Sequence, residues 1–228
     1  MDKTVNKASE SGDHCTEIRR RSGDCQIELI VDVGANVGET ICRYLTNFEH
    51  AQIIAFEPVQ KTFAALQSKV GSNPRVCCMN LALGAIPGAA LVHHQPYSGL
   101  NSLSPAINTE HPDCGRSEMV TVTTLDRIVQ DNDIKHIDLL KIDTEHFELE
   151  VIRGAHQALL ERRISFIYAE VSFNPEDKRH TLFSELDECL GRYHFQQVGF
   201  FEHMFCPASS RVEFCNALFA LKAGQHNS

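Results

Sequence analysis

Leu29-Ile30-Val31-Asp32-Val33-Gly34-Ala35-Asn36-Val37-Gly38-Glu39-Thr40 is the stretch whose reading decides the fold. The run from Ile27 to Val33 is β-branched and apolar apart from Glu28 and Asp32. That is the pattern of a strand covered on both faces, as in a parallel sheet. Gly34 and Gly38 bracket a tight turn, and Asn36 between them is a residue type that tolerates positive φ. From Val37 onward the spacing is helical, with Ile41, Tyr44, Leu45 and Phe48 on one face. A strand, a glycine turn and a helix in this order are expected to point backbone N–H groups, and the positive end of the helix dipole, at a ligand.

The following strand, Ala51 to Phe56, ends on Glu57-Pro58. Nucleotide-binding α/β units carry an acid about 20 residues beyond the glycine turn, where it accepts from ribose hydroxyls. Glu57 stands there. A third glycine is missing, and so is a Gly-x-x-x-x-Gly-Lys phosphate loop.

The chain has 228 residues, 43% hydrophobic and 22% charged, which suits one domain with a substantial core. A net charge of −9 without a Lys/Arg cluster disfavours a nucleic-acid partner. The nine cysteines include no Cys-x-x-Cys pair, and no apolar leader follows Met1. No segment approaches the roughly 20 apolar residues of a membrane span. The expectation is a cytoplasmic protein with reduced thiols. Residues 1–26 read as a flexible N-terminal arm, or a short helix leading into the core, with Arg19-Arg20-Arg21 as a solvated charge run. The domain proper is expected over 27–222, with 223–228 as a tail.

Downstream, a helix fits Gln60 to Val70, and strands fit Arg75 to Leu81, Ala89 to His94 and Met119 to Thr124. His93-His94 has no third ligand at metal spacing and reads as plain strand. The long polar loop from Gln95 to Ser117 offers Ser and Asn side chains to a polar ligand. His136 to Asp143 is a buried strand, followed by a helix with Leu149, Ile152, Ala155, Leu159 and Leu160 inward. Asp143, Glu145, His146 and Glu148 cluster at its tip, where ligands sit in open α/β sheets. Ile164 to Val171 is a strand ending near another acid, Glu170. A polar loop to His180, a helix from Thr181 to about Tyr193 and two closing strands complete the sheet, the last strand antiparallel.

Together these residues resemble the FkbM family of S-adenosylmethionine-dependent methyltransferases. The likeness is carried by the Asp32-x-Gly34-x-x-x-Gly38 turn, Ala55-Phe56-Glu57-Pro58, Ala82-Leu83-Gly84 and Ser98-Gly99-Leu100-Asn101-Ser102-Leu103. Thr124-Leu125-Asp126, Lys141-Ile142-Asp143-Thr144-Glu145, Ile152-Arg153-Gly154-Ala155 and Cys215-Asn216-Ala217-Leu218-Phe219 follow in order. One position departs: the family usually has Gly after Lys-Ile-Asp-x-Glu, and this chain has His146.

The resemblance implies a Rossmann-like α/β fold with a mostly parallel seven-stranded sheet, and O-methylation of a small-molecule or glycan hydroxyl. Gly34, Asn36 and Gly38 would wrap the methionine part of the cofactor, with Asp32 near its ammonium group. Glu57-Pro58 would hold the ribose, and Ala82 and Leu83 would border the adenine. Ser102 and Asp143 would approach the sulfonium. Two other readings are an NAD-type oxidoreductase, against which the glycine pattern argues, and a non-catalytic cofactor-binding module, for which His146 is the one hint.

A sugar hydroxyl is a weak acid, so a positioned base should assist its attack. The candidates are Asp143, Glu145, His146 and Glu170. Asp143 is assigned to alignment, and Glu145 is the expected base. Glu170 would orient a second hydroxyl with Asn174 and His180. Asp143, Glu145 and Glu170 could form a Mg²⁺ site that acidifies the acceptor hydroxyl, but no metal is expected, because they come from separate strand tips without ligand spacing.

Overall fold

A computed structural model describes residues 13–93, 103, 117–205 and 211–222. Five strands carry the apolar runs: β1 (Leu29–Val33), β2 (Gln52–Phe56), β3 (Val76–Met79), β7 (Ile137–Ile142) and β8 (Ile164–Ser172). With the hairpin β9 (Phe195–Phe205) and β10 (Val212–Leu221) they form a seven-stranded sheet in the order β3-β2-β1-β7-β8-β10-β9. The first five run parallel, and β10 is antiparallel to both β8 and β9. The expected α/β sheet with an antiparallel last strand is therefore present.

Alternation along each strand feeds two apolar layers. Val31, Leu140, Ile142, Ile167 and Phe219 pack under α4 (Leu125–Asp131), α5 (Glu148–Arg153), α6 (His156–Leu160) and α7 (Phe183–Gly191). Ile30, Leu139, Phe166, Tyr168 and Leu218 pack under α1 (His14–Ser22), α2 (Glu39–Asn47) and α3 (Gln60–Val70) on the opposite face. The long helix expected after Asp143 is broken into α5 and α6, and Leu160, read as inward, is 56% exposed.

Within residues 13–26 the helix alternative holds in place of the flexible arm. Asp13 caps α1 by accepting from the Cys15 N–H, and His14, Cys15 and Ile18 are fully buried. The His14 ring stacks on Tyr168 at 4.0 Å. Burying Ile18 alone contributes about 2–3 kcal/mol, and this long-range packing is invisible in a polar local composition.

A second, three-stranded sheet was not anticipated. β4 (Ala82–Leu83) pairs parallel with β6 (Ser117–Thr123), which pairs antiparallel with β5 (Gly88–His93). The Asn80 side-chain amide donates to the carbonyls of Glu57 and Pro58, both at 2.9 Å, and fixes this small sheet against the tip of β2.

In chain order the strands run outward from β1 to β3 on one side, then resume on the other side at β7. Such a reversal opens a crevice at the carboxyl ends of β1 and β7. The candidate site lies there.

Candidate active site

The floor of the crevice is the glycine turn. Gly34 has φ +77°, and a Cβ there would lie 1.9 Å from the Asp143 carbonyl oxygen. Any side chain would push the tips of β1 and β7 apart. Gly38, at φ +83°, starts α2, and a Cβ there would meet Leu66 of α3 at 2.9 Å. The turn does not aim its N–H groups at a ligand as expected. Gly34 and Ala35 both donate to the Phe56 carbonyl, and Asn36 donates to Glu57 Oε2 at 3.0 Å. The glycines permit close strand packing, and the N–H groups of Gly34, Ala35 and Asn36 are spent on the tip of β2.

Asp32 also differs from its expected role. Its side chain is fully buried and its Oδ1 lies 2.9 Å from Lys141 Nζ, beneath the crevice and not in it. Lys141 also reaches Asp143 Oδ2 at 3.4 Å and donates to the Gly34 carbonyl at 3.1 Å. Burial alone would push Lys141 down, but the Asp32 and Asp143 carboxylates hold it above its ordinary value. Sequence reasoning missed Lys141, although strand pairing sets it directly beside Asp32.

Above the floor is a cleft of about 620 Å³. Leu81, Ala82, Leu83, Val92 and Leu103 make one apolar wall, with Phe56, Pro58 and Val59 beside it. Asn36, Glu57, Asp143, Thr144 and Glu145 form the polar side. Three carboxylates and no Lys or Arg line the cleft among the described residues. Ser102 lies outside the described residues.

Glu57 is 6% exposed. Its Oε1 accepts from Val59 N–H at 2.9 Å and its Oε2 from Asn36 N–H. Burial pushes its carboxyl up to about 7, against those two hydrogen bonds. Each carboxylate oxygen can accept a second bond, so capacity remains for hydroxyl donors. Asp143 is open to the cleft, with 41% of its side chain exposed.

The polar residues that follow Asp143 separate into different roles. Glu145 lines the cleft and is 8% exposed, and its Oε2 is 3.6 Å from the Arg179 guanidinium. Burial, then the Asp143 charge, push its carboxyl up to about 8, with Arg179 opposing. His146 sits at φ +74°, the left-handed region, which accounts for the family's glycine preference there. Glu148 is a brace: its Oε1 accepts from Thr144 N–H and Oγ1, and its Oε2 from Thr181 Oγ1 at 2.5 Å.

Glu170 sits near the end of β8, 3.4 Å from His180 Nε2. Burial, followed by the charges of Asp143, Glu145 and Glu148, raises its carboxyl well above the usual range. His180 is 5% exposed, stacks on Phe214 at 4.2 Å, and its Nδ1 is 2.7 Å from Asp177 Oδ2. Donor atoms of Glu145, Glu170 and His180 all lie within 4.8 Å of one another. The absence of ligand spacing in sequence thus hides a convergence in space. Asn174, expected to meet substrate, instead accepts from Glu176 N–H as a turn residue and is exposed.

A family model described as the methyltransferase FkbM domain matches residues 32–200. The hexuronic acid methyltransferase AglP of Haloferax volcanii is 28% identical over 151 residues, covering 66% of this chain and 59% of its own length. The methyltransferase sdnD of Sordaria araneosa is 24% identical, covering 64% of this chain and 66% of its own. This chain therefore spans 59% to 66% of the length of these two curated relatives. Among solved structures, the METTL16 methyltransferase domain superposes with a TM-score of 0.53 at 11% identity, over 92% of this chain and 67% of that one. At that identity the likeness speaks for the fold alone.

Proposed function

This chain belongs to the FkbM methyltransferase family, and we propose that it transfers a methyl group from S-adenosylmethionine to a hydroxyl oxygen of a sugar or similar polyhydroxylated acceptor. The observation that carries this reading is the lining of the cleft. Three carboxylates and no basic side chain among the described residues suit a ligand with positive charge and hydroxyl donors. The same lining opposes the oxidoreductase alternative, since a dinucleotide brings a pyrophosphate that needs donors and positive charge.

The residues present fit the family's cofactor. Glu57 keeps acceptor capacity for vicinal hydroxyls, and the apolar wall of Leu81, Ala82, Leu83 and Val92 suits a flat heteroaromatic ring. When bound, S-adenosylmethionine supplies an electrophilic methyl group on a positively charged sulfur. Asp143, steadied by Lys141, would present its carboxylate to that charge. Glu145 lines the cleft with Glu170 close to it; an acceptor hydroxyl would lose its proton there, and Glu145 is the first candidate to receive it. Positioning of the hydroxyl oxygen for in-line attack falls to the same cluster and to the loop that carries Arg179 and His180.

The name of one relative, a hexuronic acid methyltransferase, favours a sugar acid among possible acceptors. The half-exposed Arg179 beside Glu145 is a cation within reach of such a carboxylate. The test is transfer of labelled methyl from S-adenosylmethionine to a panel of uronic-acid glycans, neutral glycans and free sugars. O-methylated product from a glycan supports the reading. Label appearing on nitrogen or carbon acceptors alone would overturn it.

A further inference from the structure

We propose that Glu145, Glu170 and His180 form a binding site for a first-row divalent cation at the acceptor end of the cleft. The three come from different elements: the segment after β7, the tip of β8, and the loop before α7. Their donor atoms nevertheless converge within 4.8 Å.

The orientation of His180 points to a positive centre in that gap. Asp177 can only accept as a carboxylate, so the proton on the 2.7 Å contact belongs to His180 Nδ1. Nε2 then offers its lone pair to Glu170 Oε2, itself an acceptor, 3.4 Å away. Two lone pairs facing each other at this distance need a proton or a cation between them. Two donors each about 2.1 Å from one metal ion, at a near-tetrahedral angle, are separated by about 3.4 Å.

Charge balance favours the cation. Asp143, Glu145 and Glu170 crowd one another, with Arg179 beside Glu145 and Lys141 beside Asp143. Lys141 is already committed to Asp32. Without a cation the crowding is relieved by protons on Glu145 and Glu170, whereas a divalent ion relieves it with both carboxylates ionised.

The donor set and its support also resemble a metal centre. Two carboxylates and an imidazole suit manganese, iron, cobalt or zinc better than magnesium or calcium, which prefer oxygen alone. A carboxylate on the second ring nitrogen, as Asp177 provides, is the usual support of a metal-binding histidine. Three protein donors leave positions open for acceptor oxygens.

The probe is Mn²⁺, followed through the electron paramagnetic resonance signal of the free ion, in the full chain without cofactor. One ion per chain is expected. Glu170→Gln and His180→Gln should each weaken binding at least tenfold, and Asp177→Asn by about 10–100-fold. S-adenosylhomocysteine affinity, measured on each variant, should stay within about threefold and certifies the fold. Absence of stoichiometric Mn²⁺ binding at millimolar concentration overturns the proposal and leaves a shared proton in the gap. Binding that survives Glu170→Gln and His180→Gln unchanged overturns it equally. Because cofactor is absent from the titration, either failure is separable from failure of the methyltransferase reading.

Discussion

Lys141 Nζ lies 2.9 Å from Asp32 Oδ1, with both side chains at or below 5% exposure, in the centre of a sheet otherwise packed with aliphatic residues. The pair ties β1 to β7 at the point where the crevice opens, and Lys141 passes its charge on to Asp143 at the cleft surface.

Lys141→Met would leave Asp32 buried without its counter-ion. The loss should be about 3–5 kcal/mol, the range for breaking a buried pair from one side. Pairing it with Asp32→Leu should recover most of that loss, since a buried ion pair is readily replaced by apolar residues of similar volume. Urea denaturation of the two variants and the parent checks this. A double variant no more stable than Lys141→Met would contradict it.

His146→Gly should stabilise the fold by about 0.5–1 kcal/mol, because the backbone at φ +74° disfavours any side chain with a Cβ. The midpoint of chemical denaturation should rise. A lower midpoint would mean that the imidazole makes stabilising contacts exceeding the backbone strain.

The Glu57 carboxyl, pushed up to about 7 by burial, makes cofactor affinity pH-dependent. Hydroxyl donors favour the ionised form, so binding should release a proton near neutral pH. Affinity should weaken by up to about tenfold per unit as pH falls below 7. The sign for stability is opposite. Between the unfolded value and about 7, the folded chain holds the extra proton at Glu57, so this group's contribution to stability falls as pH rises through that window. Calorimetry in two buffers of different ionisation enthalpy tests the proton release. Affinity that stays flat from pH 6 to 8 would contradict it.

Much of this was legible in the sequence, and the boundary has physical causes. β1, β2, β7 and β8 are mainly apolar runs, as strands covered on both faces tend to be, and the antiparallel end hairpin follows from counting strands after the last helix. Glu57 and Asp143 were legible as polar residues ending apolar strands, and both line the cleft. What stayed hidden depends on contacts far apart in sequence. The glycine turn was read as a ligand cradle because nothing local indicates that Phe56 takes its N–H groups. Lys141 reads as a strand-interior oddity until Asp32 is set beside it. His180 was seen as a substrate contact, and its approach to Glu170 arises from a loop closing over the sheet edge, which has no sequence period.

Glu145→Gln keeps the shape of the side chain and removes its charge and basicity. Turnover should fall by about 10²–10⁴-fold, with cofactor affinity little changed, whether the carboxylate takes the proton itself or helps to hold a cation. Single-turnover methyl transfer, with binding measured separately, checks the split. Near-normal turnover in Glu145→Gln alongside an inactive Glu170→Gln would move the role to Glu170.

The central claim is that the carboxylate-lined cleft beside Gly34 and Glu57 holds S-adenosylmethionine. The most direct measurement is calorimetric titration of S-adenosylhomocysteine and NAD⁺ into the parent chain and into Glu57→Ala. The account predicts saturable binding of S-adenosylhomocysteine, none of NAD⁺, and a loss of about 1–3 kcal/mol in Glu57→Ala from the missing charge-assisted hydrogen bonds. Tighter binding of NAD⁺, or undiminished S-adenosylhomocysteine affinity in Glu57→Ala, would contradict it.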